Sequence, residues 1–115
     1  MPYVKIETNV AVAEETEDLL FAELTSVISE VTSKSAEWIM LSLQAGMAFR
    51  FRESREPTAA ISVEALGLKS EQPAALILAA TNVVSSHLGV SPKRVFVRIS
   101  SPPPTHFGWN GEPFA

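Results

Sequence analysis

Met1-Pro2 opens the sequence, and proline is the one residue whose free α-nitrogen is a secondary amine. A small residue after the initiator methionine lets that methionine be removed, which would expose the amine. An α-amino group titrates near pH ~7.7–8.0 in water, and burial or a nearby cation lowers that value. An amine that is neutral near pH 7 can take a proton or attack a carbonyl. The other chemically able residues are few. There is no cysteine, which excludes disulfides, thiolate zinc sites and thiol nucleophiles. The two histidines, His87 and His106, are too few for a protein-only metal centre. His87 falls on a helical pattern as a solvated or packed residue, and His106, with no paired carboxylate motif, reads as structural or peripheral. Lys34 follows a helical stretch, where its charge also suits the negative end of the helix dipole. Phe107, Trp109 and Phe114 crowd the end of the sequence, where they either pack onto a neighbour or line a pocket.

Two copies of one supersecondary plan must position these groups. Pro2–Thr8 alternates in strand fashion, with Tyr3, Lys5 and Glu7 against Val4, Ile6 and Thr8. Glu14, Glu15, Glu17 and Asp18 suit the first turns of a helix. Leu20, Leu24, Val27, Ile28 and Val31 then recur at helical spacing. Trp38–Leu43 reads as a second strand, with Trp38 in the core. The plan repeats: Ala59–Leu66 is strand-like, Ser70 is the N-cap of a helix with Pro73 in its first turn, Gly89 ends that helix, and Arg94–Ser100 is the last long strand. An offset of 56 residues pairs Leu20 with Leu76, Val27 with Val83 and Ser35 with Ser91.

A duplicated β-α-β unit therefore fills the sequence. It predicts a single α+β domain over residues 1–115, an α/β sandwich with a four-stranded sheet and two helices on one face. The pseudo-repeats run from about 2 to 45 and 58 to 101, followed by a C-terminal arm over 102–115. The second and fourth strands are apolar on nearly every residue, which predicts burial on both faces and hence oligomerisation. Pro102, Pro103 and Pro104 cannot continue a ladder, so the arm is expected to cross to another surface. The cluster Arg50, Arg52, Glu53, Arg55 and Glu56 is mixed in sign and reads as a solvated loop.

With 115 residues, 46% of them hydrophobic and 19% charged, the chain can bury a real core. Its net charge of −4 argues against nucleic acid as the main partner. No window reaches the ~18 apolar residues of a membrane span, and the N-terminus lacks a basic-then-apolar signal layout. The expectation is a cytoplasmic protein with neither nucleic-acid nor membrane partners.

Pro2, Thr8-Asn9-Val10, Glu23-Leu24-Thr25, Lys34, Met47-Ala48-Phe49, Glu56-Pro57, Ser91-Pro92 with Arg94-Val95, and Gly108-Trp109-Asn110 ending in Phe114-Ala115 stand in one order along the chain. Together they resemble the macrophage migration inhibitory factor and D-dopachrome tautomerase family over its full length. The resemblance implies a ring-shaped homotrimer and no cofactor. It also implies a keto–enol tautomerase in which the N-terminal proline, freed of Met1, is the general base for phenylpyruvate-like 2-oxo acids. Lys34 would depress the Pro2 pKa and bind the substrate carboxylate, the backbone around Leu66 would hold a substrate oxygen, and Phe107, Trp109 and Phe114 would form the apolar wall.

The departures from the family also carry information. Where its best-known members place a tyrosine and an asparagine across the subunit interface, this sequence has Phe96 and Arg98. Phe96 keeps the ring without the hydroxyl. Arg98 adds a planar cation able to grip a carboxylate, or to form an intersubunit ion pair. The Cys-x-x-Cys element of the mammalian cytokine is absent, so thiol redox activity is ruled out. A signalling or interaction protein with weak or vestigial catalysis is the alternative reading, although no receptor is implied by any residue singled out.

Overall fold

Val4, Ile6 and Thr8 are fully buried along β1 (Tyr3–Thr8), and Tyr3, Lys5 and Glu7 are not. That alternation marks one covered and one open sheet face. In α1 (Glu14–Thr32), Leu20, Leu24, Ile28 and Thr32 form a buried stripe four residues apart. No side chain caps its N-terminus; Glu14, Glu15 and Glu17 complement the helix dipole there instead. A 3-10 turn, Ala36–Trp38, leads into β2 (Met40–Gln44). The second unit is β3 (Ala59–Glu64), α2 (Gln72–Leu88), a 3-10 turn Pro92–Arg94, and β4 (Val95–Ser100). These elements come from a computed structural model that describes residues 1–115.

The sheet order is β2-β1-β3-β4. Each unit pairs its own strands in parallel, and the units join antiparallel through β1 and β3, with Ile6 opposite Ile61. Val4, Ile6, Leu20, Leu24, Ile28, Ile61, Val63, Leu76 and Val84 meet in one core beneath the two helices. Burying a Leu or Ile side chain in such a core contributes about 1.5–3 kcal/mol.

The duplication extends to details. Leu20, Leu24 and Ile28 correspond to the buried Leu76, Ala80 and Val84, and the two 3-10 turns correspond as well. The Ser29 hydroxyl donates to the Lys34 carbonyl at 2.6 Å, and its counterpart Ser85 donates to the Val90 carbonyl at 2.5 Å. Both helices end on a left-handed residue, Ser33 at φ 57° and Gly89 at φ 67°.

Four expectations change. Trp38 lies in the turn, not in a strand or the core, and β2 starts two residues later at Met40. The N-cap of α2 is Glu71, because Gln72 starts the helix and its side-chain oxygen accepts from the Lys69 N–H at 2.7 Å, leaving Ser70 outside. The outer strands are not apolar on both faces: Val95, Val97 and Ile99 pack on the core, while Phe96, Arg98 and Ser100 face out. Met40 and Phe96 are therefore the large apolar side chains left open there, 47% and 50% exposed. The arm does not leave the protomer but turns through Pro104–His106 into a hairpin of β5 (Gly108–Trp109) and β6 (Glu112–Pro113), with Asn110 and Gly111 at positive φ.

The unequal helix ends are testable. A non-glycine residue held in the left-handed region costs about 1–2 kcal/mol. Ser33→Gly is expected to raise unfolding stability by roughly 0.5–1 kcal/mol, and Gly89→Ser to lower it by about 1 kcal/mol, read from urea midpoints at unchanged slope.

Candidate active site

The amino terminus enters the sheet as an extension of β1. Pro2 is buried, and its carbonyl accepts the Met40 N–H at 3.0 Å, pinning the start of the chain to the start of β2. Met1 projects from this point into a cleft of about 400 Å³ lined by Met1, Glu37, Trp38, Ile39, Met40 and Trp109. Its amine is held below the ordinary α-amino value, first by burial and second by the positive charge of Lys34.

Lys34 is placed by the exit of α1. Its carbonyl takes the Ser29 hydroxyl, and its N–H reaches the Thr32 hydroxyl at 3.3 Å. The corresponding residue of the second unit is Val90, only 1% exposed. The fold thus brings a side chain inward at this point in both halves, as an apolar plug in one and a half-buried cation in the other. No carboxylate lies within ion-pair distance of Lys34. Its charge stays available to the amine and to any anion that enters the cleft.

Aromatic rings wall the other side. Trp38 and Trp109 meet edge to face, 5.0 Å apart at 84°, and Phe114 stands 6.2 Å from Trp38 at 81°. Phe107 packs behind Phe114 at 6.0 Å, and the Phe114 N–H closes the hairpin on the Phe107 carbonyl at 3.0 Å. A second hollow of about 510 Å³ lies within the hairpin and is lined by Thr105 to Pro113, His106 among them. All its walls are one local segment, and it lacks the amine and Lys34.

The residues singled out from sequence therefore divide. Trp109 lines the cleft with Met1, next to the buried Pro2; Lys34 acts on the Met1 amine without lining the cleft, and Phe114 meets the wall through Trp38, with Phe107 behind it. Leu66 is buried just beyond β3, at the sheet end towards which the register of Tyr3 opposite Glu64 leads, but it does not line the cleft. Phe96 and Arg98 are not brought there within one protomer. They lie on β4, the far edge of the sheet from β2, where Phe96 meets Phe51 edge to face at 4.9 Å and Arg98 donates to the Ser62 hydroxyl at 2.9 Å. His87 pairs with Glu23 between the helices at 3.1 Å.

Sequence reasoning missed Glu37, Trp38, Ile39 and Met40 as lining residues. The signal was the repeat: Ser91-Pro92 starts a turn with proline in its first positions, so the matched Ser35 starts one too. The second unit also shows what the cleft would be if filled. Arg94, matched to Trp38, donates to the carbonyls of Phe51, Ser54, Glu56 and Pro57 and to the Thr58 hydroxyl. It ties the 49–58 loop over the second unit, and the first unit has no such tie.

The arrangement offers a depressed amine, an unpaired cation and an apolar wall. Those parts suit proton transfer on a small organic acid. Across the full length, residues 1–115 match the family model for macrophage migration inhibitory factor (MIF). Macrophage migration inhibitory factor of Xenopus tropicalis is 26% identical over 116 residues, covering 100% of both chains. The crystal structure of a homologue from Prochlorococcus marinus superposes with a TM-score of 0.92 at 25% identity, covering 98% of this chain and 99% of that one. A crystal structure of a protein inactivated by 2-oxo-3-pentynoate gives a TM-score of 0.85 at 20% identity over 97% of this chain and 95% of that one, a likeness of fold.

Trp38 holds the arm at the cleft through two aromatic contacts, each worth about 0.5–1.5 kcal/mol beyond buried area. Trp38→Ala is expected to release the segment after Ser101. Limited proteolysis should then cut that segment well before the core, and the near-ultraviolet dichroism of the remaining Trp109 should collapse.

Proposed function

The chain belongs to the macrophage migration inhibitory factor family, and from that membership we propose that it is a keto–enol tautomerase for phenylpyruvate-like 2-oxo acids, with Pro2 as general base. Membership supports a tautomerase or a signalling role; the substrate class and the base are our reading. The observation that carries it is the amino terminus, opening on an apolar cleft with the Met1 amine held below the ordinary range by burial and Lys34, influences that a freed Pro2 amine one residue further in would share. With Met1 attached, the Pro2 nitrogen is an amide and has no basic lone pair. With Met1 removed, it becomes a secondary amine at the inner end of the cleft.

The reaction is then a proton transfer at constant oxidation level. Neutral Pro2 takes the enol O–H proton of the substrate and returns it to the adjacent carbon, leaving the ketone. Lys34 holds the substrate carboxylate and keeps that carbon near the amine, and the Trp38–Trp109 wall receives the aryl group. No cofactor is required by this balance. The proposed assembly is a homotrimer, in which the exposed β4 of one copy can bring Phe96 and Arg98 beside the cleft of the next. A signalling protein with vestigial catalysis is the second reading, favoured by the distance of Phe96 and Arg98 from the cleft within one protomer. A receptor bound equally well by wild type and Pro2→Gly would select it.

Intact mass should show loss of Met1, and the processed protein should convert enol to ketone with phenylpyruvate or 4-hydroxyphenylpyruvate. Pro2→Gly should lower kcat/KM by roughly 100-fold or more, the scale of a lost general base. Undiminished turnover in that variant would sink the reading.

The pH profile tests Lys34. Because the neutral amine is the active form, kcat/KM should rise through an acid limb below the ordinary α-amino range of ~7.7–8.0. Lys34→Ala removes a charge that disfavours protonation, so its limb should move to higher pH while KM rises. A limb that stays in place would separate Lys34 from the amine.

A further inference from the structure

Five of the six residues lining the cleft are apolar, and the sixth is Glu37. It sits in the middle of the Ala36–Trp38 turn, is exposed, and has no cationic partner within ion-pair distance. Glu37 is thus the one charged side chain lining the cleft, beside Trp38, while Lys34 acts on the Met1 amine without lining it. In the proposed pose, with the carboxylate at Lys34 and the ring on Trp38 and Trp109, the ring would share the cleft with Glu37. A second carboxylate there meets like charge, whereas a hydroxyl or ammonium meets a hydrogen-bond acceptor.

We infer that Glu37 is a specificity-determining residue, selecting aryl 2-oxo acids with a neutral or hydrogen-bond-donating distal group and rejecting dicarboxylic ones. This rests on the reading of the cleft as the substrate site, but not on Pro2 being the base. Within the protomer Arg98 lies across the sheet on β4, bound to Ser62. In the proposed ring it would come beside the cleft of the next copy, so the binding titration that tests Glu37 is repeated on Arg98→Ala, in which the discrimination against the dicarboxylate should widen.

The test exploits the fact that the chain has two tryptophans, Trp38 and Trp109, and both line the cleft. Their fluorescence reports its occupancy alone and needs no turnover. The full chain lacking Met1 is titrated with phenylacetate, 4-hydroxyphenylacetate and 4-carboxyphenylacetate. In the wild type, the dicarboxylate should bind about three- to fivefold more weakly than phenylacetate, the range of a screened surface charge interaction, and the hydroxylated probe should bind most tightly. Glu37→Gln should bring the dicarboxylate-to-phenylacetate ratio of Kd close to one, and Glu37→Lys should invert it. A ratio unchanged across the three proteins, or the absence of any binding to wild type, overturns the inference. Absence of tautomerase turnover in the wild type, or undiminished turnover in Pro2→Gly, with the binding ratios as expected would count against Pro2 as base and leave Glu37 in its assigned role.

Discussion

A positive charge beside an amine already partly withdrawn from water makes the protonated form of that amine costly, and the first unit of the fold is arranged around that pairing. The Lys34 carbonyl and N–H are both fixed by side chains of α1, and the amino terminus is fixed by the ladder bond from Met40 to Pro2. These bonds hold the backbone from which the two charged groups extend. The Met1 amine is thus depressed by a cation that a helix end delivers next to the entry of the chain into β1. No carboxylate is near enough to Lys34 to neutralise it, so the field falls on the amine and on what approaches it.

Duplication explains why one unit carries a cleft and the other does not. The same stretch of fold, from the helix end through a 3-10 turn into the outer strand, occurs twice. In the second unit it is closed by Val90, by Arg94 bonded to four carbonyls of the 49–58 loop, and by Phe51 set edge to face against Phe96. The first unit substitutes Lys34, Trp38 and Met40 at the matching positions and leaves the space for the amino terminus and the C-terminal arm. A duplicated scaffold can thus fill one of two equivalent hollows and leave the other open.

Much of this was legible in the residues. The offset of 56 held for the helix stripes and for both turns, because burial at every fourth position leaves a mark that one sequence can show. Strand ends were less legible: Trp38 looked like the first residue of an apolar run, and only the match of Ser35 to Ser91 separates a turn from a strand there. The first strands correspond at 57 rather than 56, since Tyr3 faces Met40 while Ala60 faces Phe96. A one-residue slip of that kind reverses the face of every side chain, so counting along the chain alone could not place it. The landing of the arm on its own cleft was also out of reach, because edge-to-face contacts among Trp38, Trp109 and Phe114 leave no periodic signature.

The open strands bear on the proposed trimer. β2 and β4 are the two edges of the sheet, and each presents unpaired backbone groups to solvent. Arg98 is the single outward charge among their residues, a thin defence against edge-to-edge pairing. A two-fold contact would pair like edges and leave one edge per copy uncovered. A ring joins unlike surfaces and closes on itself, so each copy uses both edges once. Such a contact carries the β4 side of one copy towards the β2 side of the next, and β2 begins at Met40, which lines the cleft. The same geometry that hides the edges would thus place Phe96 and Arg98 beside the cleft proposed for the substrate, with Glu37 lining it from the other copy. Closure of the ring and completion of the site then become one requirement, and the outward alternation of β4 is what lets a single strand meet both.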